Sequence, residues 1–133
     1  MKRICLDTSA YSHFKRGSPE AVEFISRASW VGLPTIVLGE LRTGFLLGGR
    51  TRRNDDELRE FLNHPVVHVL DVDDEASAHY AVIMVSLSRA GAPVPTNDIW
   101  IAALARREGA AVLTFDEHFE RIRDVSTRVI RHQ

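Results

Sequence analysis

Short apolar runs alternate with helical stretches along this chain, and that alternation restricts the fold more than any single motif. Arg3 to Leu6, Trp30 to Leu33, Val66 to Leu70 and Ala111 to Thr114 read as short buried strands, with Arg128 to Ile130 as a last edge strand. Thr8 or Ser9 is placed to cap the segment after the first strand. Ser18-Pro19-Glu20 starts a helix with proline at its first position, running to about Arg27. Pro34-Thr35 opens another, with Ile36, Val37, Leu41, Phe45 and Leu46 as its apolar positions, and Gly48-Gly49 breaks it. Arg50 to Asn54 reads as a basic connector, Asp55 to Leu62 as a helix, and His64-Pro65 as its end. Asp73 caps a long helix from about Asp74 to Ala90 that carries Ala76, Tyr80, Ile83, Met84 and Leu87 on one stripe. Asn97 and Asp98 open a helix with Ile101, Leu104 and Ala105 inward, closed by Gly109, and Glu117 to Ile122 forms a short helix. Strands alternating with helices predict an α/β fold, a three-layer α/β/α arrangement around a parallel sheet of four to five strands.

At 133 residues the expectation is one domain, residues 1–133, with a core that needs no staples. Cys5 is the only cysteine, so no intrachain disulfide can form, which suits a reducing cytoplasm. The first apolar run stops after three residues at Asp7, shorter than a signal peptide needs. No run approaches the roughly 18 apolar residues of a membrane span. A net charge of −1 argues against a nucleic-acid partner only until its distribution is considered. With Asp7, Glu40, Asp98 and Asp116 set aside, the remainder is mildly basic. Of 17 cationic residues 15 are arginine, the side chain suited to bidentate phosphate contact.

Those four acids stand where backbone turns aim them at one pocket. Asp7 ends the first apolar run, Glu40 interrupts an apolar helix, Asp98 opens a helix, and Asp116 follows a late strand. In open parallel sheets, ligands sit beyond the carboxyl ends of the strands where strand order reverses. Asp7 and Asp116 project into that crevice if their strands are neighbours, and Glu40 and Asp98 can face the same end. Burying several unpaired carboxylates together is costly, and a cation relieves the cost. Hard divalent ions want oxygen ligands, so the pattern points to Mg²⁺ or Mn²⁺. Each acid alone has a plainer reading: Asp7 and Asp98 as helix caps, Glu40 as a solvent-facing residue, Asp116 as a turn residue. Asn97 can cap in place of Asp98 and leave that carboxylate free. For Glu40 no cationic partner lies downstream, since positions 43 and 44 are Thr and Gly.

The stretches Ile4-Cys5-Leu6-Asp7-Thr8-Ser9, Thr35-Ile36-Val37-Leu38-Gly39-Glu40-Leu41, Thr96-Asn97-Asp98 and Leu113-Thr114-Phe115-Asp116-Glu117-His118-Phe119 together resemble the PIN-domain family of metal-dependent ribonucleases. The resemblance covers nearly the whole chain. With Glu40-Leu41-Arg42-Thr43-Gly44 in the second motif and at this length, the chain resembles a VapC-type toxin of a bacterial toxin–antitoxin pair. The resemblance implies strand order 3-2-1-4-5, which sets the strands ending in Asp7 and Asp116 side by side. It implies hydrolysis of RNA phosphodiester bonds by water activated at one or two Mg²⁺ or Mn²⁺ ions. Asp7, Glu40, Asp98 and Asp116 would be the catalytic, metal-holding acids. Asp7 and Asp98 are expected as direct ligands; Glu40 and Asp116 complete the set directly or through water. Thr8, Ser9, Asn97 and Thr114 are candidate donors that orient the carboxylates. No histidine is needed, and His118 reads as a surface or cap residue. A VapB-like cognate antitoxin, an RNA substrate, a homodimer and a bacterial or archaeal cytoplasm follow from the same resemblance.

Arg42, Arg50, Arg52 and Arg53, with Arg106 and Arg107, are candidate phosphate contacts; a solvated face is the plain reading of each. Trp100 and Phe14 have rings that can stack on bases or pack in the core. Phe45 to Gly49 and Val82 to Leu87 carry apolar residues beyond the needs of a small sheet, which suits a homodimer seam and a groove for an antitoxin segment. A PIN nuclease outside any toxin system and a noncatalytic RNA-binding PIN module remain the alternatives. A signalling receiver would need a late lysine, and the only lysines are Lys2 and Lys15. A haloacid-dehalogenase-like phosphatase would need an acid at position 9, which is Ser.

Overall fold

A computed structural model of the chain describes residues 2–131, so the ends of the expected 1–133 span lie outside the described residues. Five strands form one sheet: β1 (Arg3–Leu6), β2 (Trp30–Pro34), β3 (Val67–Leu70), β4 (Ala111–Thr114) and β5 (Thr127–Val129). Their order is β3-β2-β1-β4-β5, and every pairing is parallel. Ile4, Cys5 and Leu6 of β1 and all four residues of β4 are buried. Their side chains alternate between two covered faces, which is why these strands read as unbroken apolar runs.

The helices are α1 (Thr8–Lys15), α2 (Pro19–Arg27), α3 (Thr35–Leu47), α4 (Thr51–Leu62), α5 (Asp74–Ala90) and α6 (Thr96–Arg107), with a 3₁₀ turn over Glu117–Arg121. Three local expectations need correction. Asp7, not Thr8 or Ser9, caps α1, its side chain accepting from the Ala10 amide. The residues expected as a basic connector are helical from Thr51, because the Thr51 hydroxyl bonds the Phe45 carbonyl at 2.7 Å and an Arg53–Glu57 pair supports the first turns. Neither Asn97 nor Asp98 caps α6; Pro95 stands at that position with no side-chain bond. On α5 the expected stripe holds for Ala76, Ile83 and Leu87, whereas Met84 faces outward.

Helices α5 and α6 form a hairpin. Gly91, in the left-handed region at φ 63°, ends α5, and the Ala92 amide closes onto the Leu87 carbonyl at 3.1 Å. At the other end, Arg107 near the close of α6 donates to the Asp71 carbonyl and the Asp73 carboxylate, both at 2.8 Å. Arg107 is therefore a clamp between helix ends. The hairpin carries Asp98, in the first turn of α6, to the end opposite this clamp.

Candidate active site

Strand order reverses at β1, between β2 and β4, and Asp7 is the first residue past β1. Its carboxylate is only 5% exposed and is held by three donors. The Ala10 amide and the Ser9 hydroxyl donate to Oδ1 at 2.9 and 2.8 Å, and the Thr114 hydroxyl at the end of β4 donates to Oδ2 at 2.5 Å. The chain beyond β4 locks this network. The Phe115 amide donates to Ser9 Oγ at 3.0 Å, and the Asp116 amide donates to Thr114 Oγ1 at 2.9 Å. Burial pushes the Asp7 pKa up; the bonds from Thr114, Ala10 and Ser9 oppose that shift, and the nearby Asp116 charge adds to it. Asp7 is thus a helix cap and a crevice carboxylate at once.

Glu40 comes from the second turn of α3 and is exposed. The Thr8 hydroxyl donates to its Oε1 at 2.6 Å, and the Asn97 amide group donates to its Oε2 at 3.5 Å. Its partners therefore come from α1 and α6, each adjacent in sequence to another of the acids. The interrupted apolar pattern of α3 is explained by this position at the helix junction.

Asp98 is half-buried, and its carboxylate has no hydrogen bond or ion pair among the described residues. Its pKa is raised from 3.8 to about 6, chiefly by burial and then by the charges of Asp116, Asp7 and Glu40, with His118 opposing. The charges of the other three acids thus all act on Asp98, in addition to its burial. Asp116 caps the 3₁₀ turn, accepting from the His118 amide at 2.9 Å, and the His118 ring nitrogen Nδ1 lies 3.1 Å from the same oxygen. His118, read from the sequence as a surface or cap residue, is exposed and lies against Asp116.

Among the described residues no three His, Cys, Asp or Glu side chains converge into a cage that would hold an ion alone. The donor set nevertheless fits a magnesium-like ion, which keeps several waters and binds through one or two carboxylates. Asp98, with charge repulsion and no donor, is the group here whose environment a cation would relieve most.

The candidate RNA contacts are dispersed. Arg42, Arg50, Arg52 and Arg53 are exposed or partly exposed on α3, α4 and the turn between them, and none bonds to an acid of the cluster. Arg53 pairs with Glu57 at 3.3 Å, and Arg106 bonds the His79 ring at 2.8 Å. Trp100 stacks on Tyr80 with ring centroids 4.0 Å apart, and Phe14 packs against Tyr11 and Phe61. Leu46, Leu47, Val82, Met84 and Val85 are exposed, so both apolar segments singled out in the sequence reach the surface.

The family model described as the PIN domain matches residues 4–125. The chain is similar to Ribonuclease VapC4 of Mycobacterium tuberculosis, 32% identical over 130 residues that cover 98% of each protein. It is similar to Ribonuclease VapC5 of the same organism, 33% identical over 89 residues, which span 67% of this chain and 66% of that protein. Among solved structures it is similar to DNA-bound VapBC from Salmonella typhimurium, with a TM-score of 0.82, 30% identity, and coverage of 97% of this chain and 98% of that one.

Proposed function

The chain belongs to the PIN-domain family, and from that premise we propose that it is a metal-dependent endoribonuclease acting as the toxin of a toxin–antitoxin pair. The observation that carries this reading is Asp98, a half-buried carboxylate without a donor that is repelled by Asp7, Glu40 and Asp116. Such a cluster is unfavourable by itself and becomes favourable around a cation. Mg²⁺ or Mn²⁺, as one or two ions, is the class these oxygen donors select. When bound, a divalent ion supplies an acidified water and charge stabilisation for the departing oxygen.

The protein's own part is positioning. Ser9, Thr114 and the Ala10 amide fix the Asp7 carboxylate in one rotamer, so it needs no reorganisation when the site fills. Thr8 and Asn97 hold Glu40 against the junction of α1 and α6. Asp98 offers both oxygens free. Asp116 is tethered by the His118 amide and ring on the other wall. The substrate phosphate is anionic, so its approach to four carboxylates requires their charge to be offset first; catalysis and metal occupancy are thereby coupled. A VapB-like antitoxin, a homodimer and a cytoplasmic location complete the reading, and the similarity to a VapBC assembly supports the antitoxin.

The test is cleavage of total cellular RNA by purified protein in EDTA, Mg²⁺ and Mn²⁺, with Asp98→Asn as control. Discrete fragments that need metal and vanish in the control are expected. A folded, antitoxin-free protein that cuts nothing in any arm would overturn the reading in favour of a noncatalytic RNA-binding module.

A further inference from the structure

We propose that the groove between α1, α3 and α4 is the track for single-stranded RNA on one side of the cut, its phosphates held by Lys15, Arg16, Arg50 and Arg53. The inference rests on the ribonuclease reading and adds where the substrate lies. The groove lies about one helical turn from the acid cluster. Thr8 of α1 meets Glu40 of α3 at 2.6 Å, and the groove is lined by Ser12, one turn further along α1, and by Leu41, adjacent to Glu40. From Thr8 to Arg16 the helix advances about 12 Å at 1.5 Å per residue. Lys15 and Arg16 therefore lie within a few nucleotides of a phosphate at the acids.

The lining has the two components that single-stranded nucleic acid requires. Its floor carries Leu41 and the half-buried Phe45 ring, and its rim carries four cations against a single acid, Glu57. Sequence-tolerant single-strand grooves combine such an apolar or aromatic floor with a cationic rim. Glu57 is shared between Lys15 at 3.0 Å and Arg53 at 3.3 Å, so it offsets only part of the rim charge. Arg16 and Arg50 hold no ion pair among the described residues. Arg107, by contrast, is committed to Asp73 and Glu108. The hollow, about 410 Å³, has room for unstacked single-stranded residues. The early start of α4 at Thr51, bonded to the Phe45 carbonyl, is what sets Arg50 and Arg53 on this wall.

The experiment is fluorescence anisotropy of a short labelled single-stranded RNA in EDTA, where no cleavage occurs, across a salt series. Wild type is compared with Arg16→Gln/Arg50→Gln, Lys15→Gln/Arg53→Gln, and Arg27→Gln on α2, with thermal unfolding to verify each fold. Each lost phosphate contact lowers the slope of log K against log salt by roughly 0.7. Each double variant is therefore expected to be shallower by about 1.4, and Arg27→Gln to keep the wild-type slope. Cleavage with metal is followed on the same RNA and on a dinucleotide too short to reach the groove; the double variants should raise KM for the former only. Wild-type slopes in both double variants would overturn the groove assignment and leave the hollow to a protein segment, whether or not the enzyme cuts RNA. Shallower slopes from a wild-type protein that cuts nothing would uphold the groove while the ribonuclease reading failed.

Discussion

Burying a carboxylate beside other acids costs folding stability, and Asp98 shows this most visibly. Its folded pKa of about 6 lies above the ordinary 3.8. Between those values the folded chain keeps a proton that the unfolded chain has lost. Stability from this group is thus fully present below the lower value and is lost as pH rises through the upper one; the raised pKa of Asp7 acts in the same direction. Two pKa units correspond to roughly 3 kcal/mol, and the partial exposure of Asp98 reduces this to about 1 kcal/mol after solvent screening. Asp98→Asn is therefore expected to stabilise the metal-free protein by on the order of 1 kcal/mol at pH 7, with no gain near pH 4. Urea unfolding in EDTA at the two pH values measures it; a variant no more stable than wild type at pH 7 would contradict the shared pocket. Thr114 acts in the opposite sense, since its fully buried hydroxyl joins Asp7 to the Asp116 amide. Thr114→Val should cost about 1–3 kcal/mol, and RNA cleavage should fall beyond the fraction unfolded. All four acids were legible in the sequence because each breaks a local pattern. Their donors were nameable from adjacency, but which hydroxyl serves which acid depends on long-range packing that adjacency does not encode.

Elements show where local reading stops working. The Asp55 start expected for α4 came from treating Arg50 to Asn54 as a run of like charge, yet Thr51 ties that segment to the end of α3 and Arg53 finds Glu57 one turn on. The cap of α1 went to the acid rather than to a hydroxyl because Thr8 and Ser9 are both committed elsewhere, to Glu40 and to Asp7. Such competition for a donor is invisible until the partner helix is in place. The α5–α6 hairpin gives an element-scale prediction. Arg107, nearly buried, bonds the start of α5 and Glu108, at the end of α6 away from Asp98. Arg107→Met should lower stability by roughly 1–2 kcal/mol and leave the KM of RNA cleavage at its wild-type value. Denaturant titration and steady-state kinetics on one preparation separate the two effects; a raised KM would assign Arg107 a contact with RNA after all.

At the scale of the whole molecule, the sheet order and the acid cluster are one fact. Order β3-β2-β1-β4-β5 makes β1 and β4 neighbours, and the bond from Thr114 to Asp7 exists only because of that adjacency. Alternation of strands and helices was enough to read a parallel sheet, but not which strand lies beside which; the order came from resemblance, since no short-range signal specifies crossover connections. The four acids thus come from four parts of the chain, so an ion held as proposed would join β1, α3, α6 and the turn after β4. Binding to the folded state alone stabilises by about 2.7 kcal/mol when free ion is 100 times its Kd. In a domain of this size that raises Tm by several degrees. Millimolar Mg²⁺ or Mn²⁺ should therefore raise the Tm of wild type, and Asp98→Asn should respond far less while starting from a higher metal-free Tm. Sodium chloride at matched ionic strength separates site binding from screening, because screening relieves exposed charges without regard to ion valence at a given ionic strength. Equal shifts with sodium and magnesium would show that the acids repel one another without forming a site; a magnesium-specific shift that disappears in Asp98→Asn would tie the fold's stability and the proposed chemistry to the same four carboxylates.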